Sequence, residues 1–346
     1  MRHASYRDAQ PGFPRVRVES PSAWFTGPVG EDLSVSAAVG VDAVSGASPR
    51  WHDAVSGASS FRDRRVSGDW RVTRHFDRSA WTLGLAHSDE RDYRSRAVSL
   101  TARWRDEEGI AEWTAGVALA RDRIDGVDPS PVAGTRRTVE LLAGTTRVLT
   151  PRDVVQLAAT ATVGEGLYDD PYKYPDRRPD GRRQLALQAG WNHFVAGGPA
   201  ALAGSTLRMR YRLYRDDWGV RAHTVSAEWV RPLAGGWTVT PLVRYHTQGA
   251  ARFYFDPVYD RALGAPFPPG FASDPGRLAS ADQRLSAFGA LAVGVRVAWR
   301  IDDAWTADLR GEWYRQQAGW RLGGDGSPGL SRLDAVMLQV GITRRF

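Results

Sequence analysis

Apolar and polar side chains alternate along many segments of this chain of 346 residues. In the clearest segment, four apolar or aromatic residues alternate with three arginines: Leu207, Met209, Tyr211 and Leu213 against Arg208, Arg210 and Arg212. A second segment, from Leu291 to Trp299, has apolar residues at every odd position. Successive residues of a strand point to opposite faces, whereas a helix would scatter the same residues around its circumference. The pattern therefore predicts strands with one apolar and one polar face.

Fifteen segments have this strand signal, and stretches rich in Gly, Pro and Asp separate them. They are 16–26, 33–44, 64–74, 80–92, 96–105, 110–122, 136–148, 153–164, 182–195, 204–215, 220–231, 237–250, 284–300, 305–317 and 332–346. Short turns alternate along the chain with longer polar connections, among them 45–63, 123–135, 165–181, 251–283 and 318–331. Short periplasmic turns and longer external loops are typical of outer-membrane barrels.

The last predicted strand supports the same fold. Val336, Leu338, Val340 and Ile342 form one apolar row, and the sequence ends on Phe346. A terminal aromatic residue after such a row resembles the sorting signal of bacterial outer-membrane barrels, so we expect the barrel-assembly machinery to recognise Phe346. Arg344 does not fit, because this position in the row is usually apolar or aromatic.

These features predict an all-β protein, a transmembrane antiparallel up-and-down β-barrel that occupies residues 1–346 as a single domain. A transmembrane strand needs only about 9–11 residues and exposes every second one to lipid. A mean hydropathy of −0.40 is therefore compatible with a membrane barrel. Bacterial single-chain barrels have even strand numbers. We expect about sixteen strands, with Ser5–Arg7 as the remnant of a first one, in the outer membrane of a Gram-negative bacterium.

Aromatic residues concentrate near the short turns, as an interfacial girdle would require. They are Trp24, Trp81, Trp104, Trp113, Trp191, Phe194, Trp229, Trp237, Trp299 and Trp305. The alternative is a soluble β-sandwich or propeller with these side chains in its core, but no regular blade repeat is present. Pro241 lies inside a predicted strand and lacks a backbone donor, which predicts a bulge there.

The composition excludes several classes of function. The chain has no Cys, which excludes disulfides, thiolate metal sites and a Cys nucleophile. The net charge of +7 arises from 46 Lys and Arg and 39 Asp and Glu that are interspersed, so no localised patch indicates nucleic-acid binding. The first six residues contain no apolar signal segment, and we expect the sequence to be truncated at its start.

Several stretches resemble a family of bacterial outer-membrane proteins known as domain of unknown function 3570. The stretches are 42–49, 68–78, 89–100, 149–153, 169–173 and 214–224, and they include Asp169-Asp-Pro-Tyr-Lys173. They follow one another in order along most of the chain. The resemblance implies a barrel in the outer membrane of a Gram-negative bacterium, with no assigned activity and no family catalytic residues.

Charged residues on the polar face of the strands are expected to point into the lumen, because they cannot face lipid. The predicted lumen-lining residues are Arg208, Arg210, Arg212, Arg244, Arg296, Arg310 and Glu312. Charged rings set the selectivity of pores, so this set favours a passive pore for small anionic solutes. The alternative is that Glu140, Glu228, Asp308 and Glu312 neutralise the arginines and close the polar core.

Long loops support a second hypothesis, a sealed barrel that binds partners or organises the envelope through connections 45–63, 165–181 and 251–283. The aromatic and Pro-rich segment from Phe253 to Phe271 can fold inward as a plug or form an exposed platform. For either hypothesis the expected partners include the lipid bilayer and lipopolysaccharide.

Acidic residues recur at the predicted outer rim, and the candidate rim cluster is Asp89, Asp92, Asp216 and Asp217. Carboxylates could bind a hard cation, but neighbouring arginines favour salt bridges, and we predict no metal and no cofactor. His87 and His223 near Asp216 and Asp217 raise a third hypothesis, an outer-membrane hydrolase. Because no nucleophile, base and orienting group can be identified, the sequence favours a protein that is not an enzyme, without catalytic residues.

Overall fold

Sixteen antiparallel strands close into a barrel in the computed structural model, which describes residues 1–47, 60–126, 132–173, 176–199, 202–256, 274 and 276–346. The barrel strands are β1 (Arg2–Gln10), β2 (Phe13–Val29), β3 (Leu33–Ala47), β4 (Ser60–His75), β5 (Ser79–Asp89), β6 (Tyr93–Arg105), β7 (Ala111–Asp125), β8 (Ala133–Thr150), β9 (Asp153–Gly166), β11 (Gly181–Val195), β12 (Ser205–Asp216), β13 (Arg221–Pro232), β14 (Trp237–Gln248), β16 (Phe288–Arg300), β17 (Trp305–Gln317) and β18 (Leu333–Arg344). β10 (Asp176–Arg177) and β15 (Ala279–Ser280) form a separate pair. No helix in these ranges is long and apolar enough to cross a membrane.

The predicted barrel and its count of sixteen strands are confirmed. The expected extra strand is β1, which pairs with β18 and closes the barrel. One connection predicted at 93–95 lies at 90–92 instead, because the N–H of Glu90 donates to the carbonyl of Tyr93 at 2.7 Å and closes the turn there. β16 begins at Phe288 instead of residue 284, because a 3-10 turn over Gln283–Leu285 precedes it.

The barrel has two unlike ends. The turn end contains both chain termini and the short connections 30–32, 76–78, 106–110, 151–152, 196–204, 233–236 and 301–304. The loop end contains the longer connections, among them 167–180, 249–287 and 318–332. It also contains tight turns, among them Pro11 and Gly12, where the φ of 70° at Gly12 requires the left-handed conformation that glycine adopts without strain.

The outer wall of the barrel is apolar between its two ends. Cross-strand pairing places apolar side chains in continuous rows, and one such row contains Leu85, Val98, Leu119, Val139 and Val163. Their exposed fractions of 53%, 39%, 51%, 43% and 44% are far above those of core residues. We call these rows the apolar belt. Such a large continuous apolar surface indicates a protein that is surrounded by an apolar medium.

Tryptophans border the apolar belt at the turn end. Those on the outer wall are Trp81, Trp104, Trp113, Trp191, Trp229, Trp237, Trp299 and Trp305, and Trp237 stacks on Trp299 with ring centroids 5.3 Å apart. Trp24 was wrongly assigned to this girdle. It pairs with Ala38 on the inner wall, where the guanidinium of Arg2 lies 4.8 Å from its ring, because its neighbour Phe25 takes the outward position. Phe194 was also wrongly assigned to the girdle, because it pairs with Thr206 on the inner wall.

The outer faces of β1 and β2 depart from the apolar pattern. The Glu19 carboxylate accepts hydrogen bonds from Ser5 at 3.0 Å and from Arg17 at 2.8 Å, and it lies 3.0 Å from the His3 ring. His3 and Ser5 pair across the barrel seam with Val340 and Leu338 of β18, which belong to the apolar belt. The belt is therefore interrupted where the first and last strands meet.

Two residues that did not fit the predicted pattern have simple structural explanations. Arg344 places its guanidinium 5.4 Å from the ring of Trp305 and 4.9 Å from that of Phe346, so it covers aromatic surface at the turn end. Pro241 produces no bulge. The pairs on either side of it, Leu242 with Glu228 and Val239 with Arg231, keep one register. Between these pairs, only residues 240 and 241 lack a partner on β13.

Loops pack into the loop end of the barrel on one side, and we call this packed region the loop cap. Trp218, which is 1% exposed, packs between Tyr168 and Phe253 with ring centroids 5.2 Å from each. Its indole N–H donates to the Gly181 carbonyl at 2.9 Å, and the guanidinium of Arg182 on the inner wall lies 4.1 Å from its ring. The cap therefore covers the inner wall near β11 and β12.

A buried carboxylate fixes the same loops. Asp282 accepts a hydrogen bond from Arg178 at 2.8 Å and several from Arg284. Burial alone disfavours its charged form, but the hydrogen bonds from Arg284 and the charges of Lys173 and Arg178 outweigh burial and hold the pKa of Asp282 below its usual range. The central part of the aromatic loop, 257–273, lies outside the described residues.

Candidate functional site

All seven predicted lumen-lining residues occupy inner-wall positions. On β12, Arg208, Arg210 and Arg212 alternate with Met209 and Tyr211, whose exposed side chains belong to the outer wall. The inner positions on the other strands follow from pairing: Arg244 with Ser226, Arg296 with Arg310, and Glu312 with Gly294. The register of five strands therefore determines which charged groups are neighbours.

Three of these arginines have acidic partners on the inner wall. Arg310 Nη2 lies 2.7 Å from Glu312 Oε2, and Arg296 Nε lies 3.3 Å from Asp308 Oδ1. Arg208 forms a longer contact of 3.9 Å with Glu228. The local charge of these pairs is close to zero. Three of the four acids named in the alternative, Glu228, Asp308 and Glu312, thus contact arginines in this part of the wall.

The other three arginines have different surroundings. Arg210 Nη1 donates to the side-chain oxygen of Gln156 at 3.1 Å, and the guanidinium of Arg212 lies 5.1 Å from the ring of Tyr214. Within the described ranges, neither these two nor Arg244 has a carboxylate oxygen within 4.0 Å. Their positive charges are therefore not balanced by a directly paired acid.

Strand pairing brings these three arginines to one place. Arg210 pairs with Ser226, which pairs with Arg244 on the following strand. The adjacent row has Arg212, Thr224 and His246 in the same order. Together with Gln156 and Gln188 they line a recess of about 450 Å³ in the inner wall. We call it the arginine recess.

The arginine recess has the donor groups that an anion requires. Guanidinium groups bind carboxylates and phosphates through two parallel hydrogen bonds, and the Ser226 hydroxyl lies between two of them in the strand register. The Thr224 hydroxyl lies 2.8 Å from His246 Nδ1, whose Nε2 is 3.2 Å from Gln248. Sequence reasoning did not place Ser226 and His246 beside the arginines, because only the strand register reveals their proximity.

The opposite side of the inner wall has small residues. Ser22, Gly40, Ser67, Ser88 and Ser95 form one cross-strand row through β2 to β6. They border a second recess of about 670 Å³. Because small side chains do not fill the lumen there, this row leaves space opposite the loop cap.

The four residues of the candidate rim cluster are not brought together. Asp89 is paired with Arg94 at 2.6 Å, and Asp216 with Arg182 at 2.6 Å. Asp217 accepts from the backbone N–H of Arg183 at 3.0 Å. They serve separate elements, because strands β5 and β12 are far apart around the barrel.

Asp92 instead belongs to another acidic group. Its carboxylate lies with those of Asp63 and Glu90 within 4.8 Å, and it accepts a hydrogen bond from the Tyr172 hydroxyl. Burial raises the pKa of Glu90; Arg65 at 3.6 Å partly opposes this, and the charges of Asp63 and Asp92 add to it. The group orders the turn between β5 and β6 and contacts the loop after β9.

The residues of the hydrolase hypothesis lie on different walls. His87 and His223 occupy outer-wall positions, the second with its Nδ1 2.7 Å from the Tyr211 hydroxyl. Asp216 is held on the inner wall by Arg182. Among the described residues, neither histidine forms a hydrogen bond with Asp216 or Asp217.

The sequence matches the family model described as a protein of unknown function (DUF3570) over residues 56–135 and 128–336, which confirms the resemblance seen in the sequence. A search of the curated proteins finds no match. Among solved structures, the barrel is similar to CdiB from Acinetobacter baumannii, with 8% identity and a TM-score of 0.53 over 98% of this chain and 59% of that protein.

Two further solved structures match the chain. A bacterial polysaccharide outer membrane secretin is 10% identical with a TM-score of 0.50 over 100% of this chain and 97% of that one. The siderophore receptor PirA from Pseudomonas aeruginosa is 12% identical with a TM-score of 0.47, and the chain covers 66% of its length. At these identities the likeness is limited to the fold, and it is to outer-membrane barrels.

Proposed function

The chain belongs to the DUF3570 family of proteins of unknown function, and from the geometry of its lumen we propose that it is an integral outer-membrane barrel that conducts small anions passively. The apolar belt supports placement in a bilayer, with the loop end outside the cell and the turn end in the periplasm. Phe346, which is 96% exposed at the end of the chain, is the proposed signal for the barrel-assembly machinery.

The observation that carries this proposal is the unbalanced charge of the arginine recess. Arg210, Arg212 and Arg244 have no directly paired acid among the described residues, whereas Arg296 and Arg310 on the same wall are paired. A cluster of fixed positive charges raises the local concentration of anions and repels cations. The proposed substrates are small solutes with carboxylate or phosphate groups, which match the guanidinium geometry.

The proposed route of solutes runs past the loop cap. The cap packs on the inner wall of β11 and β12, while the recess of about 670 Å³ lies beside β2 to β6. We propose that solutes pass on this second side. They would then meet the arginine recess across the lumen.

Planar-bilayer recordings of the full chain test the proposal. In a tenfold KCl gradient we expect discrete conductance steps and a reversal potential that shifts toward the chloride equilibrium potential. The control is the same detergent preparation without protein. A barrel that inserts but gives no conductance steps, or one with a reversal potential on the potassium side, would contradict it.

The loop cap favours a second candidate function, a barrel closed at its outer mouth that acts through its loops. Trp218 anchors the cap between Tyr168 and Phe253. Replacing a buried Trp by Ala costs about 3–5 kcal/mol, so Trp218→Ala should release the cap. If the cap seals the lumen, single-channel conductance should rise severalfold, and amide hydrogens of Ala279–Phe288 should exchange faster.

A matched variant separates packing from hydrogen bonding. Trp218→Phe keeps an aromatic ring beside Tyr168 but loses the bond from the indole N–H to Gly181, so we expect an effect between those of wild type and Trp218→Ala. If Trp218→Ala exchanges faster but conducts as wild type does, the cap is not the seal. The sealed-barrel candidate would then fail, and the open route beside β2 to β6 would gain support.

A further inference from the structure

Three arginines lie side by side on the outer wall near the loop end. Arg96 of β6 pairs with Arg121 of β7, and on its other side Arg121 pairs with Arg137 of β8. All three side chains are exposed. The described residues place no carboxylate oxygen within 4.0 Å of any of them. We call this set the outer arginine row.

Like charges directly opposite each other on neighbouring strands are destabilising. His87 lies beyond Arg96 in the row, and Glu165 lies opposite Arg137 without forming an ion pair within 4.0 Å. Acids nearer the loop end are ion-paired with other arginines, since Asp89 of the next row pairs with Arg94 and Asp125, one row further, pairs with Arg123, both at 2.6 Å. Among the described residues, the acids near the row act on its two ends, Glu165 opposite Arg137 and Asp89 near Arg96, and none of them pairs directly with the central Arg121.

The strand register fixes the position of the outer arginine row relative to the apolar belt. Two residues further toward the turn end, the same three strands have Val98, Leu119 and Val139 in the apolar belt. Two residues of a strand span about 7 Å, and neighbouring strands are about 5 Å apart. The three guanidinium groups thus lie at the upper edge of the belt, directly above an apolar surface.

Among the described residues, the turn end has no comparable arrangement on its outer wall. Its arginines are separated by apolar neighbours: Arg74 pairs with Leu33 and Trp81, and Arg147 with Ala111 and Val155. The contiguous positive row is therefore specific to the end that the proposed function places outside the cell.

We propose that the outer arginine row binds the phosphate groups of lipopolysaccharide in the outer leaflet, while the acyl chains of the same molecule cover Val98, Leu119 and Val139. This proposal rests on the membrane placement of the proposed function. A guanidinium group binds a phosphate through two parallel hydrogen bonds. A free anion would satisfy the charges but leave the apolar surface below them uncovered, so a phosphorylated lipid fits both features.

Native mass spectrometry of the full chain in detergent micelles tests this proposal without requiring channel activity. The probes are lipid A with two phosphates, lipid A with one phosphate, and inorganic phosphate. We expect wild type to retain the bisphosphorylated lipid most strongly. Replacing the row by Arg96→Gln, Arg121→Gln and Arg137→Gln together should weaken its binding at least tenfold, while circular dichroism shows an intact barrel.

The matched control removes the same charge at the turn end through Arg74→Gln, Arg147→Gln and Arg231→Gln, and it should bind lipid A as wild type does. Equal losses in the two triple variants, or unchanged binding in the first, would overturn the proposal. Inorganic phosphate that displaces lipid A at equal concentration would overturn the choice of a lipid. The row variant should keep the reversal potential of wild type, so failure of lipid binding and failure of the anion pore are separately visible.

Discussion

Replacing Arg210, Arg212 and Arg244 together with glutamate should invert the ion preference of the barrel. The change alters the charge of the arginine recess by six units. One unit charge 10 Å from an ion contributes about 0.4 kcal/mol in water before salt screening, and screening at 0.1 M salt reduces this further. The combined effect should still change the anion-to-cation permeability ratio by about tenfold. Reversal potentials in a KCl gradient measure this ratio directly.

A charge-neutral variant of the same lumen is the control. Arg310→Gln with Glu312→Gln removes the ion pair that spans 2.7 Å and leaves the net luminal charge unchanged. We expect its selectivity to match that of wild type. If the triple glutamate variant inserts and conducts with the wild-type preference, the arginine recess does not set selectivity, and the anion-pore proposal fails.

Cysteine scanning along β12 should give an alternating pattern of accessibility. The chain has no native Cys, so each introduced thiol is the only one present. Arg208→Cys, Arg210→Cys and Arg212→Cys should react with a membrane-impermeant maleimide through the lumen. Leu207→Cys, Met209→Cys and Tyr211→Cys should react only with a lipid-soluble reagent. We expect rates with the water-soluble reagent to differ by about a hundredfold between the two sets, because one strand face meets water and the other lipid.

The inverse labelling pattern would place three arginines against lipid. Each lipid-facing Arg near the midplane costs about 2–4 kcal/mol, so a row of three on one strand would be hard to accommodate. Uniform labelling of both sets by the water-soluble reagent would mean that the barrel is not embedded in the bilayer. Either result would remove the basis for the arginine recess as a pore element.

The sequence alone determined the strands and their faces. The period-2 pattern from Leu207 to Leu213 assigned Arg210 and Arg212 to the polar face, because side-chain direction in a strand depends only on the parity of the position. The even number of strands in bacterial barrels also predicted a strand before residue 16, which is β1. These inferences are local or follow from the closure of a barrel, so no long-range contact had to be known.

Tertiary structure alone decided which charged residues are neighbours. The register between strands brings Arg210, Ser226 and Arg244 into one row and leaves Arg310 with Glu312. It also aligns Arg96 with Arg121 on the outer wall, although 25 positions separate them in the chain. Such pairings depend on the length and geometry of every intervening turn, which a residue pattern does not encode. The loop cap around Trp218 likewise depends on contacts between segments far apart in sequence, and that packing is visible only in the folded barrel.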